Sequence, residues 1–153
     1  MPDGPTIAFA GGGHAHLYSL RRTVELVRRG YKVVLVNPSR YLFYSGMATG
    51  VISRTYAPEE DRIDLRRLVE RGGGRFVEGR IVRILSSERA LVLESGERVA
   101  YDAASFCIGS GIEGPAGMPA GTTVLPVKPV ANTARMLDWL AGFEGGPQVL
   151  VVG

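Results

Sequence analysis

The chain has 153 residues, 45% of them hydrophobic and 22% charged, with a net charge of +3 at pH 7, as in a soluble globular protein with room for one real core. A single cysteine, Cys107, excludes an internal disulfide and a Cys-x-x-Cys redox pair. No apolar stretch is long enough to span a bilayer. The polar, Pro-rich start has no signal-peptide pattern, so a cytoplasmic protein is expected. The cations are nearly all arginine and are spread along the chain. They read as a solvated surface, with nucleic acid or anionic lipid as the weaker readings.

Ile7-Ala8-Phe9-Ala10 reads as a short buried strand running into Gly11-Gly12-Gly13. Gly11 permits a tight turn, and Gly13 lets the backbone approach a ligand without a Cβ in the way. A helix from about Gly13 to Arg29 follows, with Leu17, Leu20, Val24 and Val27 on its inner face and Gly30 as its C-cap. Lys32 to Val36 is nearly all apolar, which suits a parallel strand buried on both faces. This β-α-β unit holds a dinucleotide pyrophosphate at the helix N-terminus. His14 and Ala15 open that helix, and His14 lines the turn. His16 stands where a third small residue is usual and packs the helix against the sheet.

Asn37, followed by Pro38, occupies the place of the acid that holds an adenosine ribose. The ribose contact is the favoured reading, and a turn residue before Pro38 is the other. Residues 38–62 have no clear periodicity but carry aromatic side chains. They read as a packed loop with a short helix, or as a wall over a planar ring. Glu59, Glu60 and Asp61 read as solvated. Asp64 caps a helix through about Arg71, with Leu65, Leu68 and Val69 inward, and Gly72-Gly73-Gly74 stops it. Arg75 to Val77 is a third parallel strand. Residues 80–85, 90–94 and 98–101 form an inserted antiparallel meander with a hairpin at Ser95-Gly96-Glu97. Residues 103–109 are a last strand ending in glycine. A Gly- and Pro-rich connector, a helix over 130–142 with Ala134, Leu137, Leu140 and Ala141 on one side, and a strand from Gln148 complete the chain.

His14-Ala15-His16 is a poor metal site, because the two rings do not share a helix face and no Cys or acidic cluster stands near. Cys107, on an apolar strand end, reads as an inert buried thiol rather than a redox group. Asp102 reads as a structural turn, and no nucleophile–base pair can be assembled.

The order of elements resembles the two-dinucleotide-binding-domain flavoproteins, the FAD-dependent pyridine nucleotide-disulfide oxidoreductases. Gly-Gly-Gly-His-Ala-His-Leu at 11–17, Tyr-Ser-Gly-Met at 44–47 and Pro-Val-Lys-Pro at 126–129 look most like the NADH dehydrogenase-like (type II) branch. The resemblance implies an α/β, Rossmann-like FAD-binding domain with a parallel sheet and an inserted three-stranded antiparallel meander. It places the N-terminal part of that domain at 1–110, a connector and helix at 111–147, and the first strand of an NADH-binding domain at 148–153. It implies FAD contacts at Gly11, Gly12, Gly13, His14, Ala15, Asn37, Pro38, Ser45 and Gly46. An adenine contact falls at Arg80 and Ile81, and the strand end Cys107-Ile108-Gly109 passes close to the cofactor. Gly109 matches the family's Ala-Thr-Gly, whereas Cys107 and Ile108 depart from it. Lys128 lies toward the flavin or the inter-domain cleft, or is a surface lysine. In such a parent, NADH delivers hydride to FAD and a quinone-like acceptor takes the electrons. The fragment alone is then expected to be inactive, completed by the missing C-terminal part or a second chain, with self-association and a membrane-peripheral parent as further implications. A sulfide:quinone oxidoreductase relative, which needs cysteines beyond Gly153, and a non-catalytic nucleotide-binding module paired with another chain stand as alternatives. The meander argues against a simple NAD-binding Rossmann domain.

Overall fold

The computed structural model describes residues 4–110, 123–142, 145 and 149. The elements are β1 (Thr6–Ala10), α1 (His14–Arg21), α2 (Thr23–Arg28), β2 (Lys32–Asn37), β3 (Tyr41–Phe43), α3 (Ala48–Ile52), β4 (Arg62–Asp64) and α4 (Leu65–Glu70). There follow β5 (Arg75–Glu78), β6 (Ile81–Leu85), β7 (Ala90–Leu93), β8 (Arg98–Ala100), β9 (Ala103–Phe106) and α5 (Asn132–Ala141). The fold is α/β and Rossmann-like, with a four-stranded sheet in the order β5-β2-β1-β9 and a separate three-stranded meander, β6-β7-β8. Two compact units are distinguished: residues up to Leu42 with Ile63–Gly109, and Phe43–Arg62 with the residues from Ser110 on.

In the first unit every pairing of the four-stranded sheet is parallel. Successive side chains point to opposite faces, and both faces are covered. Ala8, Ala10, Val34, Val36 and Val77 pack against Leu91, Leu93 and Val99 of the meander. Phe9, Val33, Leu35 and Phe76 pack against Leu20, Leu65 and Val69 of the helices. This double burial is why β1 and β2 read as unbroken apolar runs. Asp102 ties the sheet at its other end: its carboxylate accepts the Thr6 N–H at 2.7 Å and its N–H donates to the Thr6 carbonyl at 2.9 Å.

The single helix expected over 13–29 is two helices. At Arg22 the N–H bonds back to the Ser19 carbonyl, three residues away, and the Thr23 hydroxyl donates to the Leu20 carbonyl at 2.7 Å. A hydroxyl that occupies a backbone acceptor competes with the helical ladder. The break changes the inner face. Thr23 is buried, Leu26 and Val27 pack inward, and Val24, expected in the core, is 39% exposed. Gly30 ends α2 at φ +90°, with the Tyr31 N–H on the Leu26 carbonyl, as a glycine C-cap requires.

In the second unit, the segment read as a packed loop with a short helix does contain one. A 3-10 turn over Ser45–Met47 leads into α3, which buries Ala48 and Val51. In α5, Met136, Leu137 and Trp139 are half-buried while Leu140 and Ala141, expected inside, are exposed. The stripe sits further round the helix than the apolar count suggested, and α5 contacts α3; the side chain of Ala134 lies outside the described residues. The connector over 111–122 and, apart from Val149, the strand expected over 148–153 lie outside the described residues. Among the described residues no helix is long and apolar enough to cross a membrane.

Asp64 caps α4 as expected, accepting the Arg67 N–H at 2.9 Å, and its other oxygen takes Arg40 at 2.6 Å. The Arg40 guanidinium, then the Arg67 amide, hold its carboxyl below the usual range, so the charged form stabilises the fold. That contribution is complete above the unfolded-chain value near pH ~4 and is lost as pH falls toward the depressed folded value. In urea unfolding at pH 7, Asp64→Ala is expected to cost about 1 kcal/mol. The gap from the native chain should narrow on acidification below that value; a gap independent of pH would refute the assignment.

Candidate functional site

The carboxyl ends of four parallel strands meet at one edge of the first unit. In such sheets ligands bind at this edge, where neighbouring strands lead away in opposite directions. Gly11–Gly13 follow β1, Asn37 and Pro38 follow β2, Gly79-Arg80-Ile81 follow β5, and Cys107-Ile108-Gly109 follow β9. The sheet order thus gathers these sequence-predicted residues at one edge.

The glycine turn is anchored from both neighbouring strands. The Gly11 N–H donates to the Val36 carbonyl at 2.8 Å, Gly12 to Asn37 Oδ1 at 2.8 Å, and Gly13 to the Cys107 carbonyl at 3.1 Å. Gly11 has φ +85°, and a Cβ there would fall 2.4 Å from the Cys107 carbonyl oxygen. A Cβ on Gly13 would fall 2.3 Å from Cys107 Sγ. Gly11 and Gly13 therefore admit the β9 extension. Cys107, expected to be buried, is only half-buried, because it lies past the end of β9 with its sulfur against Gly13.

The ring of His16 completes the anchor. It is 4% exposed, with Nδ1 at 2.7 Å from the Gly11 carbonyl oxygen and Nε2 at 2.9 Å from Ser105 Oγ. A carbonyl only accepts, so Nδ1 carries a hydrogen, and in the neutral ring Nε2 accepts from the serine hydroxyl. Phe9 meets the ring edge-on at 5.0 Å. Ser105 had no signal in the sequence, because its partner lies 89 residues away.

With its three glycine amides committed, the turn offers an anion the start of α1. The N-cap is Gly13, which has no side chain to cap the helix, and the first turn contains no acid. His14 and Ala15 are exposed there. An eight-residue helix opening in this way, with the positive end of its dipole outward, has the donor chemistry a diphosphate requires. Asn37 is engaged at both ends: Oδ1 accepts from Gly12, and Nδ2 donates to the Ser39 carbonyl at 2.7 Å. Asn37 therefore fastens the turn, the second of its two sequence readings. Gly79 hangs from the Asn37 carbonyl at 3.0 Å, which brings Arg80, exposed, and Ile81, half-buried against the core, to the same edge.

Ser45, Gly46 and Lys128 belong to the second unit. Ser45 and Gly46 are exposed, and Lys128 Nζ lies 3.4 Å from Ser110 Oγ. Asp61, read as solvated, is 3% exposed, and its Oδ1 has no hydrogen-bond partner among the described residues. Among the described residues no group of three His, Cys, Asp or Glu is placed to hold a metal ion.

No family model and no curated protein matches the sequence. Solved structures do match the fold. CoADR-RHD of Bacillus anthracis aligns at TM-score 0.74 and 16% identity, over 91% of this chain and 27% of that one. NADH:rubredoxin oxidoreductase of Clostridium acetobutylicum aligns at 0.71 and 16%, over 88% and 35%. Sulfide:quinone oxidoreductase of Aquifex aeolicus aligns at 0.70 and 14%, over 91% and 33%. The chain spans about a third of the length of these structures. Its Rossmann-like fold is the one they share.

The His16 anchor has a measurable weight. His16→Ala leaves the Gly11 carbonyl, Ser105 and a ring-sized void unfilled, and should lower unfolding stability by about 2–4 kcal/mol. Ser105→Ala removes one hydrogen bond and should cost about 1 kcal/mol. Urea unfolding of both variants checks the order; equal small losses would show that the ring does not hold the turn.

Proposed function

We propose that the carboxyl edge of the first unit holds FAD, and that the chain is the FAD-binding portion of an NADH dehydrogenase-like flavoprotein. The observation that carries this reading is the uncapped, acid-free N-terminus of α1, opening from a glycine turn between β2 and β9. The α1 amide end with His14 and Ala15 would receive the diphosphate, and Asn37 with Pro38 the adenosine ribose. Arg80 and Ile81 would flank the adenine. Cys107-Ile108-Gly109 would pass beside the cofactor, with the thiol as packing for the turn. Ser45, Gly46 and Lys128 are assigned to the flavin side, on the resemblance of their motifs alone.

Bound FAD would supply the redox chemistry, taking hydride from NADH and giving electrons to a quinone-like acceptor in the parent. The residues here would bind and orient it. The fold shared with several oxidoreductases supports an enzyme parent. The full cycle is assigned to that parent, completed by further chain or a second polypeptide, and not to these 153 residues. A sulfide:quinone oxidoreductase relative stays as the second reading, since one such structure shares the fold; its catalytic cysteines would lie outside these residues, because Cys107 is packed against Gly13.

The test is FAD titration of the purified chain, followed by its visible spectrum and by calorimetry. Saturable uptake with a protein-bound flavin spectrum is expected. Asn37→Ala, which frees the Gly12 amide and the Ser39 carbonyl, should weaken binding about tenfold. Uptake of NAD with none of FAD would replace this reading by that of a simple NAD-binding domain.

A further inference from the structure

The arginines that look evenly spread in the sequence are not spread in the fold. Residues 14–30 contain four arginines against Glu25, and residues 64–75 contain four against Asp64 and Glu70. That is net +5 at pH 7 in a chain of net +3, leaving the remainder at net −2. Apart from Arg75, which β5 turns toward the meander face, both stretches lie on the helical face of the sheet. The groove between α1–α2 and α4 has a volume of about 450 Å³ and is lined by Arg21, Arg67 and Arg71, with Val24 and Leu68 as apolar wall and Asp64 beside them.

The acids of this layer are largely committed elsewhere. Glu25 pairs with Arg22, Asp64 with Arg40, and Glu78 at the neighbouring strand end with Arg66. Glu70 does not line the groove. Among the described residues no side chain hydrogen-bonds or ion-pairs with the guanidinium of Arg21, Arg67 or Arg71. Three like charges around one groove repel each other unless an anion joins them. Planar guanidinium forks match phosphate oxygens in pairs, which an arginine cluster whose one neighbouring carboxylate, Asp64, is paired with Arg40 is suited to exploit. The helix break at Arg22 contributes as well, because it brings Val24 to the surface beside Arg21.

We infer that this groove is a binding site for a phosphate-bearing ligand, with phosphoryl oxygens on Arg21, Arg67 and Arg71 and an apolar portion against Val24 and Leu68. It is distinct from the glycine turn. Arg21 closes the eight-residue α1 that Gly13 opens, about 12 Å away along the helix. The inference does not rest on FAD binding. A free phosphate ester and a lipid headgroup present the same chemistry, and the experiment separates them.

The probe for the free ester is inorganic pyrophosphate, followed through the arginine Nε–H signals in ¹⁵N-labelled protein. Residue-resolved signals keep this site apart from any diphosphate bound at the glycine turn. Saturable shifts are expected at Arg21, Arg67 and Arg71. The double variant Arg67→Gln/Arg71→Gln should weaken binding at Arg21 at least about tenfold. Arg28→Gln/Arg29→Gln, which removes the same charge from the same layer outside the groove, should change it less than about twofold. Backbone spectra of both variants establish that each is folded. In the second arm, phosphatidylglycerol and phosphatidylcholine vesicles are sedimented with the protein. Binding to phosphatidylglycerol alone, without pyrophosphate shifts, and lost only in Arg67→Gln/Arg71→Gln, assigns the site to a headgroup. Equal losses in the two double variants, or no response in either arm, overturn the inference.

Discussion

The structure depends on how the glycine turn is tied down. Its three amides are held by the Val36 carbonyl, the Asn37 side chain and the Cys107 carbonyl. These acceptors come from the strands on either side of β1, so the turn has its shape only when both neighbours are paired in register. The register that sets Ala10 beside Val36 and Phe106 also delivers Asn37 and Cys107 one residue further on. His16 adds a brace across the same point, from the Gly11 carbonyl to Ser105 on β9. The glycine amides are thereby spent on the turn itself, and the first residues of α1 open without a side-chain cap. The glycines shape the turn.

Much of this was legible in the sequence because it is local or periodic. Two apolar strands, a glycine-capped helix, the Asp64 cap and the meander with its glycine hairpin each depend on residues a few positions apart. The helix break was not legible. Leu17, Leu20, Val24 and Val27 count as one stripe until the Thr23 hydroxyl takes the Leu20 carbonyl and turns the second half of that stripe. Val24 then leaves the core and Thr23 enters it. The environment of Asp61 was illegible for a different reason. An acid after two glutamates reads as solvated, and only tertiary packing buries it. At the candidate site, the residues near Gly11, Asn37 and Cys107 could be named, since a parallel sheet brings its strand ends together. Which atoms would be spent on holding the turn could not, because that depends on contacts between residues as far apart as 16 and 105.

The ion pairs play a smaller part in holding the fold than the packed faces. The pairs Arg22–Glu25, Arg66–Glu78 and Arg98–Glu88 all have half-exposed partners, where water screens the attraction and holding two long side chains costs entropy. Their effect lies in which arginines they leave over. Because acids and arginines alternate within the helical layer, the pairing is settled by geometry. It matches Arg22, Arg40 and Arg66 and passes over Arg21, Arg67 and Arg71.

Three departures from the usual dinucleotide-binding pattern are coupled in space. A small residue at position 16 would let α1 lie close on the sheet, but here a ring fills the gap and finds acceptor and hydroxyl on either side. An acid at position 37 would face the Ser39 carbonyl, which Asn37 Nδ2 approaches at 2.7 Å, and the repulsion would oppose the conformation that holds Gly12. Asparagine keeps the acceptor for Gly12 and replaces that repulsion with a donor. Cys107 sits where Gly13 leaves no room for a Cβ, so its sulfur and the missing side chain are complementary. Restoring the usual residue at position 16 or 37 alone would disturb the anchoring of the turn from that side, whereas at 107 the anchor is the backbone carbonyl. The departures are therefore better read as one alternative solution for holding a glycine turn than as a weakened version of the common one.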